Sequence, residues 1–286
     1  MKTLDLVLRG GLGNQLFQYF AGVELAKQQE RILRLDQSWY ERDIHLNGML
    51  DARKYELDSY IFEERLAITS NFNLRNNPRI ERLFKATPRW VGLALGQVEE
   101  LQPRERSSRR NLTTFGHWIN QDFIPSRKVA HELLVGGLRS VSGNYAALVD
   151  EMNGREIVAL HVRLGDYLKF KDVYGTTGPD YYKRVLSSEE LQGREIWLFS
   201  DQPDSALEIL AGESRIHRVI TNKYTLSSAE TISLMSYAKI IVASNSTFSW
   251  WAGYISESSQ VFFPKLYMVG LETRQTGLFV PEWTYL

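Results

Sequence analysis

The chain of 286 residues is 43% hydrophobic and 24% charged, which describes a folded globular protein with room for two domains of ordinary size. Lysines and arginines number 34 and so do the acidic residues, for a formal net charge of +0; this speaks against a surface built throughout to hold nucleic acid. There is no cysteine, so disulfides, thiolate metal sites and cysteine nucleophiles are excluded, and a reducing cytosol is the expected setting.

The histidines, His45, His117, His131, His161 and His217, include no pair at helical ligand spacing, and no Asp-x-Asp occurs; no metal is expected. Met1 and Lys2 run straight into a strand-like segment, and no apolar run approaches the roughly 18 residues of a spanning helix. Neither a signal peptide nor a membrane anchor is expected.

Leu4 to Leu8 is apolar except for Asp5 and leads into Arg9-Gly10-Gly11-Leu12-Gly13-Asn14-Gln15, after which Leu16, Tyr19, Phe20, Val23 and Ala26 recur at helical spacing. The pattern predicts strand, glycine turn and helix. Glycines let the backbone approach a ligand at the helix N-terminus, where free N–H groups attract anions. Leu33 to Asp36 adds a second strand ending in an acid about 20 residues on, as a dinucleotide fingerprint requires. Leu16 stands where that fingerprint wants glycine, so an NAD(P)-dependent oxidoreductase is a competing reading and not the leading one.

From Gln37 to about Pro125 the pattern is irregular and gives no close assignment. Between Arg75 and Arg110 lie nine basic residues against four glutamates. Most such runs are solvated faces; the sharper reading is a basic arm that meets an anionic membrane surface, placing a cytoplasmic protein peripherally on the inner membrane. Phe115-Gly116-His117-Trp118 with Phe123 reads as core packing.

The second half is regular. Apolar runs at Ile157 to Val162, Ile196 to Phe199, Val219 to Ile220, Ile240 to Ala243 and Val261 to Phe263 alternate with helical patterns at Tyr181 to Leu191, Ser205 to Leu210, Ala229 to Ala238 and Phe248 to Ile255. This alternation predicts an α/β fold with a parallel doubly wound sheet. Ser227 and Glu230 have capping-box spacing. No internal repeat or low-complexity linker is visible, and glycines at 136, 137 and 143 suggest a boundary that separates domains 1–145 and 146–286.

Two strand ends in this half carry chemistry. The run Ile157 to Val162 closes on Arg163-Leu164-Gly165-Asp166-Tyr167, so a cation and a carboxylate stand beyond the carboxyl end of a strand, where open α/β sheets bind ligands. The bland reading is a loop ion pair. His161, inside the apolar run, reads as a packed histidine rather than an acid or base. After Ala243 come Ser244-Asn245-Ser246-Thr247-Phe248-Ser249, hydroxyl residues that cap a helix start and whose surroundings suit a phosphate.

With these stretches in place the chain resembles the bacterial α-1,2-fucosyltransferases, family 11 of the glycosyltransferases. The likeness rests on Gly10 to Gln18, His161 to Tyr167, Phe199-Ser200-Asp201 and Asn245 to Ala252, in that order along nearly the whole chain. The resemblance implies two Rossmann-like domains facing a cleft (GT-B type), an N-terminal acceptor-side domain, a C-terminal domain holding GDP-fucose as donor substrate, no metal or other cofactor, and inverting transfer to a galactose 2-hydroxyl. It implies a galactose-terminated glycan or lipid-linked oligosaccharide as acceptor and leaves the oligomeric state open.

Arg163 is expected to meet the departing diphosphate and Asp166 to serve as base or brace, with Asp172 and Asp36 as runners-up for base. Substrate contacts are expected from Gly11, Gly13, Asn14, Gln15, His161, Ser200, Asp201, Asn245, Ser246, Thr247, Phe248 and Ser249. One departure stands out: the family's usual second arginine is Leu164 here. It keeps a non-catalytic nucleotide-sugar or glycan binder among the readings.

Overall fold

The structure, a computed structural model, describes residues 1–40, 53–62, 67–69, 88–165, 171–174, 177–256 and 260–286. Asp166, Tyr167 and the basic positions from Arg75 to Lys85 lie outside the described residues. The chain forms two compact units. The described residues of the first lie within Met1–Asn47, Ala52–Leu57 and Phe62–Ile124; those of the second lie within Asp58–Ile61 and Pro125–Leu286.

In the first unit the strands are β1 (Thr3–Val7), β2 (Ile32–Asp36), β3 (Ala67–Thr69), β4 (Gln97–Glu99) and β5 (Asn111–Phe115). They pair in parallel in the order β3-β2-β1-β5-β4. Helix α1 (Leu12–Gln28) follows β1 and α2 (Arg89–Leu95) precedes β4. Succession runs from β1 outward to β3, then resumes at the far edge of the other flank with β4 and returns inward to β5, so the strand order reverses between β1 and β5.

In the second unit β6 (Val158–Val162), β7 (Ile196–Ser200), β8 (Ile216–Ile220), β9 (Ile240–Val242), β10 (Gln260–Phe263) and β13 (Thr284–Tyr285) form a parallel sheet in the order β13-β10-β9-β6-β7-β8. A short antiparallel pair, β11 (Leu266–Met268) and β12 (Leu271–Glu272), follows β10. The helices are α3 (Arg127–Leu134), α4 (Gly143–Met152), α5 (Lys171–Tyr174), α6 (Pro179–Leu186), α7 (Pro203–Ile209), α8 (Ser228–Ser236) and α9 (Thr247–Ile255). Every residue of β6 is buried; the strand has neighbours on both edges, β7 and β9, and packs with residues of α6 and α7. The order again reverses beside the first strand, here between β6 and β9. That switch point opens a crevice at the carboxyl ends of the two strands.

The units divide at Ile124 and Pro125, not near residue 145. The reason is α3, which belongs to the second unit. Its Arg127 donates to the carbonyls of Tyr254 (3.1 Å) and Ser256 (2.6 Å), and His131 Nδ1 lies 2.7 Å from Ile255 O. Together they satisfy the last carbonyls of α9, which otherwise end unpaired. Gly143, one of the glycines that suggested a boundary, starts α4 behind the N-cap Ser142. The Ser227–Glu230 capping box forms at the start of α8. No helix among the described residues is long and apolar enough to cross a membrane.

Candidate active site

At the switch point of the first unit, Gly10 turns the chain with φ +78°, and a Cβ there would sit 2.7 Å from Asn14 Nδ2. Only glycine fits that turn without strain. Gly11 then takes the N-cap position of α1 with no side chain to cap it, and Tyr40 donates to Gly10 O at 3.1 Å. Burial holds the Tyr40 phenol well above its ordinary pKa, so it remains a donor.

Gln15 and Gln18 are both fully buried, and their amides serve the backbone. Gln15 donates to Gly10 O (3.1 Å) and Lys54 O (2.8 Å) and accepts from Glu56 N (2.9 Å). Both of its N–H groups are thereby used. The sequence suggests Gln15 as a ligand of sugar or phosphate oxygens; the structure makes it a brace of the glycine turn. Gln18 accepts from Arg9 N (2.9 Å) and donates to Arg9 O (3.2 Å) and Gly116 O (3.0 Å), joining the chain after β1 to the chain after β5. Gly13 is buried within the first turn of α1, and Asn14 is partly exposed there. Asp36 is buried at the end of β2 and accepts from Ser38 N at 2.9 Å.

The second unit brings the two chemistry-bearing strand ends together. Arg163 follows β6, and Ser244 to Ser246 follow β9, the strand beside it. His161 Nδ1 lies 2.9 Å from Ser244 Oγ, and the His161 ring stacks on Phe248 at 5.6 Å between centroids. These contacts tie the end of β6 to the first turn of α9. Arg163 and the α9 N-terminus therefore share one crevice.

Arg163 is held by a residue from a third strand end. Asp201, just after β7, places Oδ2 2.7 Å from Arg163 Nη1 and accepts the Leu164 N–H on Oδ1 at 3.0 Å. One carboxylate thus fixes both the guanidinium and the backbone beneath it. Leu164 is only 1% exposed and lies in the core with Leu160, Tyr182 and Val185. Its side chain packs away from solvent.

The start of α9 is built the same way. Ser246 is its N-cap and accepts from Phe248 N at 3.2 Å. Buried Ser249 donates to Ser244 O and Ser246 O, each at 3.3 Å. Asn245 is also buried; it accepts from Thr177 Oγ1 (2.9 Å) and donates to Tyr267 O (3.1 Å). Its amide fastens neighbouring loops to the end of β9. Thr247 and Phe248 are partly exposed at the helix start. Ser200 accepts from Gln202 N at 3.0 Å and shapes the turn that carries Asp201.

His161 is buried, and burial, followed by the charge of Arg163, lowers its pKa from 6.5 to about 3. It is neutral at ordinary pH and serves as a packed support, as its strand position suggests. Asp172, a runner-up for base, is exposed on α5.

Several supporting residues carry no signal in the sequence. Tyr181 OH donates to Ala243 O (2.9 Å) and Phe262 O (3.1 Å), and Tyr182 OH donates to His161 O (3.1 Å). Two adjacent tyrosines on α6 thus pin the carboxyl ends of β6, β9 and β10.

Two α/β units with parallel sheets, the second carrying an aimed guanidinium beside a helix start, give the chain a fold of the GT-B type. The chain belongs to glycosyl transferase family 11, whose model matches residues 122–286, more than half of its length. This membership sets aside the oxidoreductase reading. Among relatives, the chain is 24% identical to the O-antigen biosynthesis glycosyltransferase WbnK of Escherichia coli, over 98% of this chain and 99% of that protein. It is also 24% identical to an alpha-1,2-colitosyltransferase of Escherichia coli, over 89% of this chain and 88% of the relative. Its fold is similar to that of the Bradyrhizobium fucosyltransferase NodZ co-crystallised with GDP, at a TM-score of 0.53 and 14% identity, covering 88% of this chain and 92% of that one.

Proposed function

We propose that the protein is an inverting glycosyltransferase that moves L-fucose from GDP-β-L-fucose to the 2-hydroxyl of a galactoside, giving an α-1,2 linkage without a metal ion. The observation that carries this reading is the convergence of Arg163, aimed by Asp201, and the α9 N-terminus on one switch point. Breaking the bond between the sugar's anomeric carbon and the β-phosphate oxygen leaves negative charge on the diphosphate. A planar two-pronged guanidinium and a helix N-terminus are the groups suited to meet it.

The sugar passes through an oxocarbenium-like state while the acceptor oxygen bonds to the anomeric carbon from the opposite face. A base takes the proton of that hydroxyl. Asp166, outside the described residues, is the proposed base, and a pH–rate profile unchanged in Asp166→Asn would reduce it to a brace. The acceptor is proposed to be a galactose-terminated oligosaccharide of a cell-surface polysaccharide, a reading supported by the O-antigen role printed in the name of WbnK. Action in the cytoplasm is part of the same proposal.

The test is binding followed by turnover. GDP should raise the melting temperature and NAD should not. GDP-fucose with a panel of galactosides should then release GDP and yield a product whose linkage is read by NMR. Stabilisation by GDP without turnover on any acceptor would indicate a non-catalytic binder. A second donor is favoured by one finding, the similarity to an alpha-1,2-colitosyltransferase; GDP-colitose belongs in the same assay.

A further inference from the structure

Helix α2 of the first unit presents the wrong face to water. Trp90 is 72% exposed and Leu95 52% exposed, Ala94 is exposed, and Val91 is partly so. Positions 90, 91, 94 and 95 share one side of a helix, so the outward row is apolar throughout. The inward contact is made by Gly92, where a Cβ would stand 2.4 Å from Gln97 O. A solvated surface helix shows the opposite pattern.

This face is held in place and is not a frayed end. Arg89 forks onto Glu105 with two bonds of 2.6 Å and donates to Glu99 O (3.1 Å) and Glu100 O (3.2 Å). Ser107 Oγ donates to Leu93 O at 2.7 Å, and Arg109 Nε donates to Ala94 O at 2.6 Å. The loop from Arg104 to Arg110 is therefore tied alongside α2 at several points, and Arg104, Arg106, Arg109 and Arg110 are all exposed. The nearby glutamates do not cancel them. Glu105 is occupied by Arg89, Glu100 turns inward to accept from His117 N (3.0 Å) and Trp118 N (3.2 Å), and Glu99 is only partly exposed.

We infer that the outward face of α2, with the arginines of the adjoining loop, docks the protein on an anionic phospholipid bilayer. Tryptophan and leucine enter the headgroup boundary while guanidinium groups meet lipid phosphates, the combination that interfacial elements use. Exposed apolar surface explains why a tryptophan stands in water, and charge complementarity selects the lipid. The inference does not depend on which sugar the second unit handles.

The test is cosedimentation of the full chain with vesicles of equal parts phosphatidylglycerol and phosphatidylcholine, against vesicles of phosphatidylcholine alone. Binding to the anionic vesicles only, weakened by salt, is expected. It should fall at least about tenfold in the double variant Trp90→Glu, Leu95→Glu, and about fivefold for each of Arg104→Ala, Arg106→Ala and Arg110→Ala. These side chains are exposed, so melting temperatures should be unchanged. Brominated acyl chains should quench tryptophan fluorescence in the native protein and much less in Trp90→Phe. No binding to anionic vesicles would overturn the inference, as would binding that the double variant leaves intact. A dimer dissociated by the double variant, in a protein that ignores vesicles, would assign the face to a second copy of the chain instead.

Discussion

Asp201 grips Arg163 at 2.7 Å with one carboxylate oxygen while its other oxygen, at 3.0 Å, holds the N–H of the next residue. The guanidinium is thereby aimed before any ligand arrives, and preorganised charge is worth most in a site that excludes water. Arg163→Ala, leaving an anionic leaving group unmet, should cost at least roughly 3 kcal/mol of transition-state stabilisation, about a hundredfold in kcat. Less than a fivefold loss, measured as GDP release from GDP-fucose, would remove it from the chemistry.

Asp201→Asn separates aim from charge. Asparagine can still accept from Leu164 N but cannot pair with Arg163, so the guanidinium persists while its orientation loosens. A loss of about tenfold in kcat, near 1.4 kcal/mol, is expected, smaller than for Arg163→Ala. If the two variants lose the same activity, Asp201 does more than position.

Leu164 stands where the resemblance drawn from the sequence implies a second arginine, and the structure shows what that exchange would entail. Its side chain lies in the core, at 1% exposure, where an unpaired guanidinium would lose its hydration. Leu164→Arg should destabilise the protein by at least roughly 3 kcal/mol in urea unfolding and bring no gain in turnover. A stable and faster Leu164→Arg enzyme would mean that this position does reach the crevice.

The strands that build the second switch point were legible because their apolar runs are long and end at polar chemistry. Ile157 to Val162 and Ile240 to Ala243 differ from β6 and β9 by a residue at an end. In the first unit β5 hid from the same reasoning, since Asn-Leu-Thr-Thr-Phe lacks an apolar run. The Thr114 hydroxyl is satisfied inside: Oγ1 donates to Val98 O (2.9 Å) and accepts from Leu101 N (3.1 Å). Polarity alone could not reveal destination either. Gln15 and Asn245 look like ligands in sequence, yet each is buried with its amide bonded within the fold. The pairing of Arg163 with Asp201 joins residues far apart in the chain, which no local spacing reports.

Gln18 offers a test of how the first switch point is held. Replacing it with leucine keeps the volume but strands Arg9 N, Arg9 O and Gly116 O, which its amide now serves. A buried polar group left unsatisfied costs about 1–3 kcal/mol, and these three are only partly buried, so Gln18→Leu should lower stability by about 1–3 kcal/mol in all in urea unfolding. Gln18→Glu can accept from Arg9 N but cannot donate to the two carbonyls, and should also be destabilised. Wild-type stability in Gln18→Leu would show that water or a shifted backbone takes over the bonds.

Acid should weaken the second unit through His161. Its folded pKa is depressed from 6.5 to about 3, first by burial and then by Arg163, so between those values the unfolded chain binds a proton that the folded one does not. Stability from this group is complete above pH 6.5 and declines as pH falls towards 3, by at most about 1.4 kcal/mol per pH unit. His161→Asn can keep a polar contact with Ser244 while removing the titration. The variant will be less stable at neutral pH, because the stack on Phe248 at 5.6 Å is lost, but its stability should fall less steeply on acidification. Urea unfolding at steps from pH 7 to pH 4 measures both slopes. Carboxylates shared by the two proteins contribute equally to each, so parallel curves would mean that the imidazole is charged in the folded state and that its burial is not what the contacts with Ser244 and Phe248 imply.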